Sequence, residues 1–558
     1  MQKETQPDGT VLDYGYDAAG NKTSLTTTYA NGDSRTELYA YDSLNRLVAV
    51  TDHQSQTTSF DYDAVGNQTH IHYPNGLVAE YNYDSLNRVT SVVTKDADGN
   101  LLSRYAYNLD ATGRRIGLNE LDGRSSEWNY DELYRLTDEV IADPINGDHS
   151  SNYSYDNVGN RTQRTVNGIV TDYIYDDNDR LISSTEDGLE TSFEYDQQGN
   201  LLEENDGSTA QTYSYNAQHK LTGFSDGTNS LSYQYNTDGI RIAKTLNAVK
   251  TRYVVDSNRD YAQVVAEVDS SDTVLKAYLY GMDLIAQESD DNWRFYHYDS
   301  LGTTRDLSDN TGQLTDSYDY EAFGELLGRE GETDNQYLYT GEQLDPELDN
   351  YYLRARYYDK GVGRFTQMDT YQGRACKPAT LHKYLYGAAD SINHKDPSGY
   401  SYIGLESVAG KVRLTLLNLN RVSFQGFSYA SRSGAKRAAV RFNHYVSNLC
   451  STMSKSGRKL GQQLHHTFPK FMGGAKRQIE YAAIAGAIHL RFHSVLKKIL
   501  RFNGIKGDNA KQFNNLNLTE RAKAIELLML TTQAFDTACI GSKGYKPMYP
   551  ILKKVFNE

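Results

Sequence analysis

A tyrosine followed by aspartate or asparagine returns through the first half of this chain with a regularity that few folds tolerate. The tyrosines are Tyr16, Tyr41, Tyr62, Tyr83, Tyr107, Tyr130, Tyr155, Tyr175, Tyr195, Tyr215 and Tyr235, spaced 25, 21, 21, 24, 23, 25, 20, 20, 20 and 20 residues apart. A period in this range marks a repeat architecture, in which each unit is too small to bury its own apolar face and must stack on its neighbours.

Each unit reads as two short strands. Tyr153-Ser154-Tyr155 and Phe193-Glu194-Tyr195 alternate large and polar side chains with period two, as half-buried strands do. Asp156-Asn157-Val158-Gly159-Asn160 and Asp196-Gln197-Gln198-Gly199-Asn200 then supply the Asp, Asn and Gly that tight hairpin turns need. Segments such as Leu181-Ile182-Ser183-Ser184 return as the next strand. Forty of the 46 tyrosines precede residue 401. Tyrosine placed so evenly is read as sheet packing with a polar tip, not as a ligand array. The expectation is a mainly β chain with one continuous sheet over residues 1–250.

These Tyr-Asp units resemble the YD repeats of Rhs proteins, and the resemblance extends over roughly residues 1–400. It implies that the repeats spiral into a large hollow β-shell. Four hundred residues is small for complete enclosure, which leaves room for self-association of the shell.

Between residues 251 and 400 the strict period fades while its style persists, in Tyr298-Asp299-Ser300-Leu301-Gly302 and Tyr318-Asp319-Tyr320-Glu321-Ala322-Phe323-Gly324. Then follow Tyr351-Tyr352-Leu353-Arg354-Ala355-Arg356-Tyr357-Tyr358-Asp359, Gly363-Arg364-Phe365, Asp369, Tyr384-Leu385-Tyr386 and Asp396-Pro397-Ser398-Gly399-Tyr400. This order of motifs resembles the Rhs-associated core that closes the shell. The resemblance implies an aspartyl autoprotease with Asp369 and Asp396 as its carboxylate pair, cutting between Tyr400 and Ser401. Two close carboxyls divide such work because their repulsion raises one pKa, leaving one as acid while the other activates water. Thr370 stands where Pro usually follows the first Asp, and Tyr400 where Leu is common. Read alone, Asp396 to Gly399 is an ordinary turn.

Composition changes abruptly after Tyr400. The whole chain has a net charge of -16, with 57 Lys and Arg against 73 Asp and Glu. Residues 401–558 hold 25 of those cations and only 7 of the acids, a balance of +18 against -34 for residues 1–400. A basic segment attached to an acidic one points to a polyanionic target such as nucleic acid, and to mutual attraction between the halves. No apolar run approaches the ~20 residues of a membrane-spanning helix. The N-terminal residues carry no apolar export signal, so departure from the cell is expected to depend on a dedicated machine. Cys376, Cys450 and Cys539 share no metal-site spacing and fit synthesis in a reducing cytoplasm.

Residues 401–558 read as mainly α-helical, with helices expected over 435–449, 484–500 and 519–535. The chemistry concentrates in Gln463-Leu464-His465-His466-Thr467-Phe468-Pro469-Lys470, and in His489-Leu490-Arg491-Phe492-His493. Histidines at i and i+4 share one helix face and can grip one metal ion. Adjacent residues on a strand point to opposite faces, so His465 and His466 suit different roles. This pattern resembles the ββα-metal fold of HNH nucleases, in particular the HH-type toxin nucleases, over roughly residues 458–503. The resemblance implies that His466 is the general base and that His465, His489 and His493 hold one divalent ion, Mg, Zn or Ni. The ion would stabilise charge on the phosphorane and the leaving oxygen. Lys470, Lys476, Arg477 and Arg491 are candidate phosphate contacts. The Asn that orients the base in that family has no match in residues 467–502, where Glu480 or a backbone carbonyl is the substitute.

The leading expectation is a bacterial effector in three parts. A YD-repeat shell (1–250), an autoproteolytic core (251–400) and a C-terminal metal-dependent DNase (401–558) would serve interbacterial competition, with the shell encapsulating the toxin until self-cleavage. Such a protein would be made in the cytoplasm and exported without a signal peptide by a type VI-like machine, through a spike or adaptor protein. It would act in the target-cell cytoplasm, and a cognate immunity protein would protect the producer. Two other readings fit, an RNase at the same site and a non-enzymatic YD-repeat adhesion protein with a polyanion-binding tail; the His cluster argues against a third, a Tc-type toxin component carrying another enzyme.

Overall fold

The computed structural model describes residues 2–374 and 378–404, together with strand segments at 462–465 and 482–485. The chain divides into two compact units, Met1–Glu406 and Ser407–Glu558.

The first unit is built on one antiparallel sheet of 31 strands, from β1 (Lys3–Thr5) to β31 (Leu326–Glu330). Each strand pairs with the one that follows it in sequence, so the sheet is an unbroken meander. It runs through residue 250 without interruption, within the strand Val249–Asp256.

The repeat motif explains both the turns and the stacking. After Tyr83, Asp84 Oδ1 accepts the backbone N–H groups of Leu86 (2.8 Å) and Arg88 (3.0 Å), and Oδ2 accepts Arg88 Nε at 2.6 Å. Asn87 takes the left-handed conformation at φ +62°, and the register slips between Asn82 and Tyr83. Asp63 repeats this with Gly66 at φ +96°. A turn closed by a bulge needs such a left-handed position, which Asn and Gly adopt most readily. The tyrosine hydroxyl then reaches back to the start of the preceding strand. Tyr83 donates to Gln68 O (2.8 Å), Tyr175 to Arg161 O (2.8 Å) and Tyr235 to Leu221 O (2.7 Å). The ring packs and the hydroxyl ties hairpin to hairpin, as the regular spacing of tyrosine leads one to expect.

Two residues before each repeat tyrosine stands a second large side chain on the same face, of which Tyr81 is partly buried. Tyr14, Tyr39, Phe60, Tyr105, Trp128, Tyr153, Tyr173, Phe193, Tyr213 and Tyr233 are all buried. Residues between the pair, such as Ser154, Ile174 and Glu194, are exposed. Through these repeat strands one face of the sheet therefore makes the core and the other meets solvent, whereas later strands such as Leu284–Ser289 and Thr304–Ser308 are buried on both faces. The meander also winds back on itself. Tyr14 bonds Asp256 (2.9 Å), Tyr73 bonds Tyr296 O (2.8 Å), Tyr105 bonds Asp306 (3.1 Å) and Tyr153 bonds Glu321 (3.0 Å). These contacts advance in step, so the last strands lie along the first ones.

Residues 337–374 and 378–396 pack against the core face. Tyr351, Tyr358, Phe365 and Tyr386 join one buried cluster with sheet residues, and Tyr352 and Tyr357 join another. The segment is pinned by polar groups spread along the sheet. Asp345 accepts from Arg241 (3.0 Å), Lys244 (2.6 Å) and Tyr233 (2.7 Å). Met368 N and Tyr384 Oη both donate to Gly199 O (3.1 and 2.9 Å), and Arg115 donates to Ile392 O at 2.8 Å.

In the second unit, Gln462–His465 and Ala482–Ala485 pair antiparallel, with His465 opposite Ala482. A helix over 484–500 is thus corrected at its start, because Ile484 and Ala485 belong to a strand. A short apolar run satisfies either periodicity, and its pairing partner decides. The remainder of that helix and those expected over 435–449 and 519–535 lie outside the described residues. Among the described residues no helix is long and apolar enough to cross a membrane.

Candidate active site

Asp396 and Asp369 are 27 residues apart in sequence and meet at one guanidinium. Arg356 Nη2 lies 3.2 Å from Asp369 Oδ2 and 3.6 Å from Asp396 Oδ2. All three side chains are buried. Arg356 opens the strand Arg356–Asp359, which turns back tightly on Asn350–Leu353 through Arg354 and Ala355. The tip of this hairpin holds the Asp396-to-Tyr400 turn. Ala355 N donates to Ser398 O (3.3 Å), Arg354 Nη1 to Pro397 O and Arg356 Nε to Gly399 O (2.5 Å each). Arg356 is further fixed by Lys383 O (3.0 Å) and by the Phe365 ring, whose centroid is 3.5 Å from its guanidinium carbon.

Gly399 is required at its position. Its φ is +67°, and a Cβ there would stand 2.4 Å from Leu353 O and 3.0 Å from Arg356 N. Only a residue without a side chain lets the turn approach the hairpin this closely.

Asp396 is aimed at the bond expected to break. Its Oδ1 accepts from Ser398 Oγ (2.9 Å), Tyr400 N (3.2 Å) and Ser401 N (3.0 Å). Ser401 N is the nitrogen that must gain a proton if the Tyr400–Ser401 peptide is hydrolysed. Asp369 is held by its own N–H to Lys383 O (2.9 Å) and by Tyr371 N on Oδ1 (2.7 Å). Burial pushes the Asp369 carboxyl above the ordinary aspartate range, and Arg356 pulls against that rise. Burial also lowers the Arg356 guanidinium from its usual value, with Asp369 and Asp396 opposing. The Arg356 guanidinium lies within ion-pair reach of both carboxylates. Tyr400 is 46% exposed, so the bond lies where water has access although the acids do not.

The chain is clamped on both sides of that bond. His394–Lys395 pairs antiparallel with Ile403–Gly404, and the His394 ring meets Tyr402 edge-on at 4.8 Å.

Of the nuclease-like residues, His465 falls at the end of its strand. His466, His489, His493, Lys470, Lys476, Arg477, Arg491 and Glu480 lie outside the described residues. Gly399 belongs to the motif, whereas Arg356 is the site residue to which motif reading gave no role. The available signal was two arginines within an otherwise aromatic strand pair, Leu353-Arg354-Ala355-Arg356-Tyr357.

The Teneurin YD-shell family matches residues 107–393, and the RHS Repeat family matches residues 2–34 and 41–78. The chain belongs to the Teneurin YD-shell family. The tRNA3(Ser)-specific nuclease WapA of Bacillus spizizenii is 29% identical over 405 residues, 72% of this chain. The tRNA nuclease WapA of Bacillus subtilis has the same identity over the same length. The chain spans 11% of the length of either relative. Among solved structures, the TcdB2-TccC3 complex superposes with a TM-score of 0.54 at 17% identity, covering 70% of this chain and 24% of that one. At that identity the likeness concerns the YD-shell fold alone.

Proposed function

We propose that this chain is a self-cleaving toxin precursor, in which the YD-shell unit cuts the Tyr400–Ser401 peptide and frees residues 401–558 as a metal-dependent nuclease. The observation that carries the first half is Asp396 Oδ1 at 3.0 Å from Ser401 N, beside a second buried carboxyl. Hydrolysis adds the hydroxyl of water to the Tyr400 carbonyl carbon and its proton to Ser401 N as the C–N bond breaks. Asp396 takes the proton from water and passes it to the nitrogen it already contacts. Asp369, raised by burial, supplies the second titrating carboxyl, and Arg356 limits the repulsion between them.

The second half rests on the basic tail with its His465-His466 and His489-x-x-x-His493 pattern, together with relatives named as nucleases. The strand pairing at His465 suits the hairpin of a ββα-metal site. His465, His489 and His493 would bind one divalent ion, Mg, Zn or Ni, and His466 would be the base. DNA is the first proposed substrate. RNA is the second, favoured by the tRNA named in both relatives. Export from a bacterial producer through a dedicated machine and spike, action in the target cytoplasm and neutralisation by an immunity protein complete the proposal.

One preparation tests both halves. The purified 558-residue chain should convert to two fragments with Ser401 as a new N-terminus, and Asp396→Asn should stay intact. The cleaved material should degrade plasmid or tRNA, lose that activity with chelator, and lose it with His466→Ala. A parent chain that remains one band rejects self-cleavage. Intact DNA and RNA after confirmed cleavage reject the nuclease.

A further inference from the structure

A second constellation, sharing no residue with the aspartate pair, lies on the solvent face of the sheet. The strands Thr57–Tyr62, Gln68–His72 and Val78–Tyr83 are consecutive neighbours. Ile71 packs against the core, so His70 and His72, one residue to either side, project from the opposite face. Register places Asp61 directly across from His70. The result is two imidazoles and a carboxylate side by side. Asp61 Oδ2 lies 2.8 Å from His72 Nε2 and 3.7 Å from His70 Nδ1, and the three ligand atoms all fall within 4.8 Å of one another. The two rings stack with centroids 5.6 Å apart. Side-chain exposure is 60% for Asp61, 38% for His70 and 42% for His72, so an ion reaches the site from solvent. Nearby cationic charge is already neutralised, because Lys95 is paired with Glu80 at 2.6 Å.

We propose that Asp61, His70 and His72 form a binding site for a borderline divalent cation of the Zn, Ni, Co or Cu class. Imidazole nitrogen selects such ions over Mg and Ca, which prefer all-oxygen shells. Metal–ligand bonds of about 2.0–2.2 Å require donors roughly 3–3.5 Å apart. The observed spread needs only small side-chain rotations, which exposed residues on a fixed strand pair can make. Three protein ligands on one side of the ion leave further positions open to water or another small ligand. Glu80, across from His70 on the next strand, flanks the group while holding Lys95 and Asn82. The site belongs to the sheet and is independent of any metal bound by the C-terminal histidines.

The test uses the full-length chain carrying His489→Ala and His493→Ala, stripped of metal and titrated with Zn²⁺ by calorimetry and with Cu²⁺ by electron paramagnetic resonance. One equivalent of Zn²⁺ should bind, and the Cu²⁺ spectrum should show two nitrogen ligands. Adding His70→Gln and His72→Gln should weaken binding by at least about tenfold, the loss that even outer-sphere substitutions cause. Asp61→Asn, which spares both imidazoles, should weaken it while keeping the two-nitrogen signature. A Zn²⁺ isotherm unchanged by these substitutions, or no binding by the parent below millimolar Zn²⁺, overturns the proposal. Circular dichroism of each variant, melted with and without Zn²⁺, gives a second readout. The ion should raise the melting temperature of the parent and leave the double variant unmoved.

Discussion

Gly399→Ala puts a methyl group against backbone that cannot rotate away. The new Cβ would sit 2.4 Å from Leu353 O, whereas carbon and oxygen in contact settle at about 3.3–3.6 Å, so the turn must withdraw by roughly 1 Å. Holding alanine at φ +67° adds about 1–2 kcal/mol. Withdrawal also weakens Arg356 Nε to Gly399 O and Ala355 N to Ser398 O, worth about 1.5–3 and 0.5–1.5 kcal/mol. The turn therefore loses on the order of 3–6 kcal/mol of local support. A displacement of about 1 Å at a reacting centre costs roughly 100-fold in rate. Conversion of the 558-residue chain to its fragments, followed by gel and intact mass, should slow by about that factor. The melting transition of the sheet should stay where it is, because no strand of the meander depends on this turn. Ser398→Ala is the companion, removing one donor to Asp396 Oδ1 and one acceptor for Tyr400 N, and should slow cleavage by less than about tenfold. Cleavage of Gly399→Ala at the parental rate would refute the claim that close approach of turn and hairpin positions the scissile bond.

Two further outcomes follow from the shell. Tyr83→Phe keeps the packing ring but deletes the bond to Gln68 O, and should cost about 1 kcal/mol in denaturant unfolding; Tyr235→Phe, many strands away, should add to it nearly independently. His382 is held neutral, its pKa lowered to about 3 chiefly by burial and next by Arg364. Its Nδ1 accepts Tyr384 N at 3.1 Å and its Nε2–H donates to Asn160 Oδ1 at 2.8 Å, so a protonated ring loses the first contact. Below about pH 6.5 the unfolded chain binds a proton here that the folded chain refuses, so this contribution is complete above that pH and fades as the pH falls toward 3. His382→Gln should therefore flatten the loss of stability between pH 6.5 and 4, and an unchanged pH profile would refute the assignment.

Much of the fold was legible because its causes are local. Asp84, Asn87 and Tyr83 each act within a few residues or one hairpin, so a period of Tyr, Asp and Asn or Gly announces the meander before any contact is known. Asp369 and Asp396 were legible only as members of a motif order. Nothing near Asp396 in sequence announces that Arg356 stands between the two acids. That depends on the hairpin tip at Arg354 and Ala355, pressed against the turn by a segment pinned across the sheet from Gly199 to Arg241. Ala482–Ala485 shows the opposite failure, since a run of four apolar residues fits a helix equally well until Gln462–His465 pairs with it.

The sequence by itself determined the repeating strand pair, its turns, the large aromatic two residues before each repeat tyrosine and the change of charge after Tyr400. All follow from interactions spanning about one repeat. Only the tertiary structure decided that Asp396 faces Ser401 N with Asp369 behind a shared arginine, and that Asp61 meets His70 and His72. Those arrangements are set by strand register and by packing between distant segments, and neither is written in any local stretch of chain.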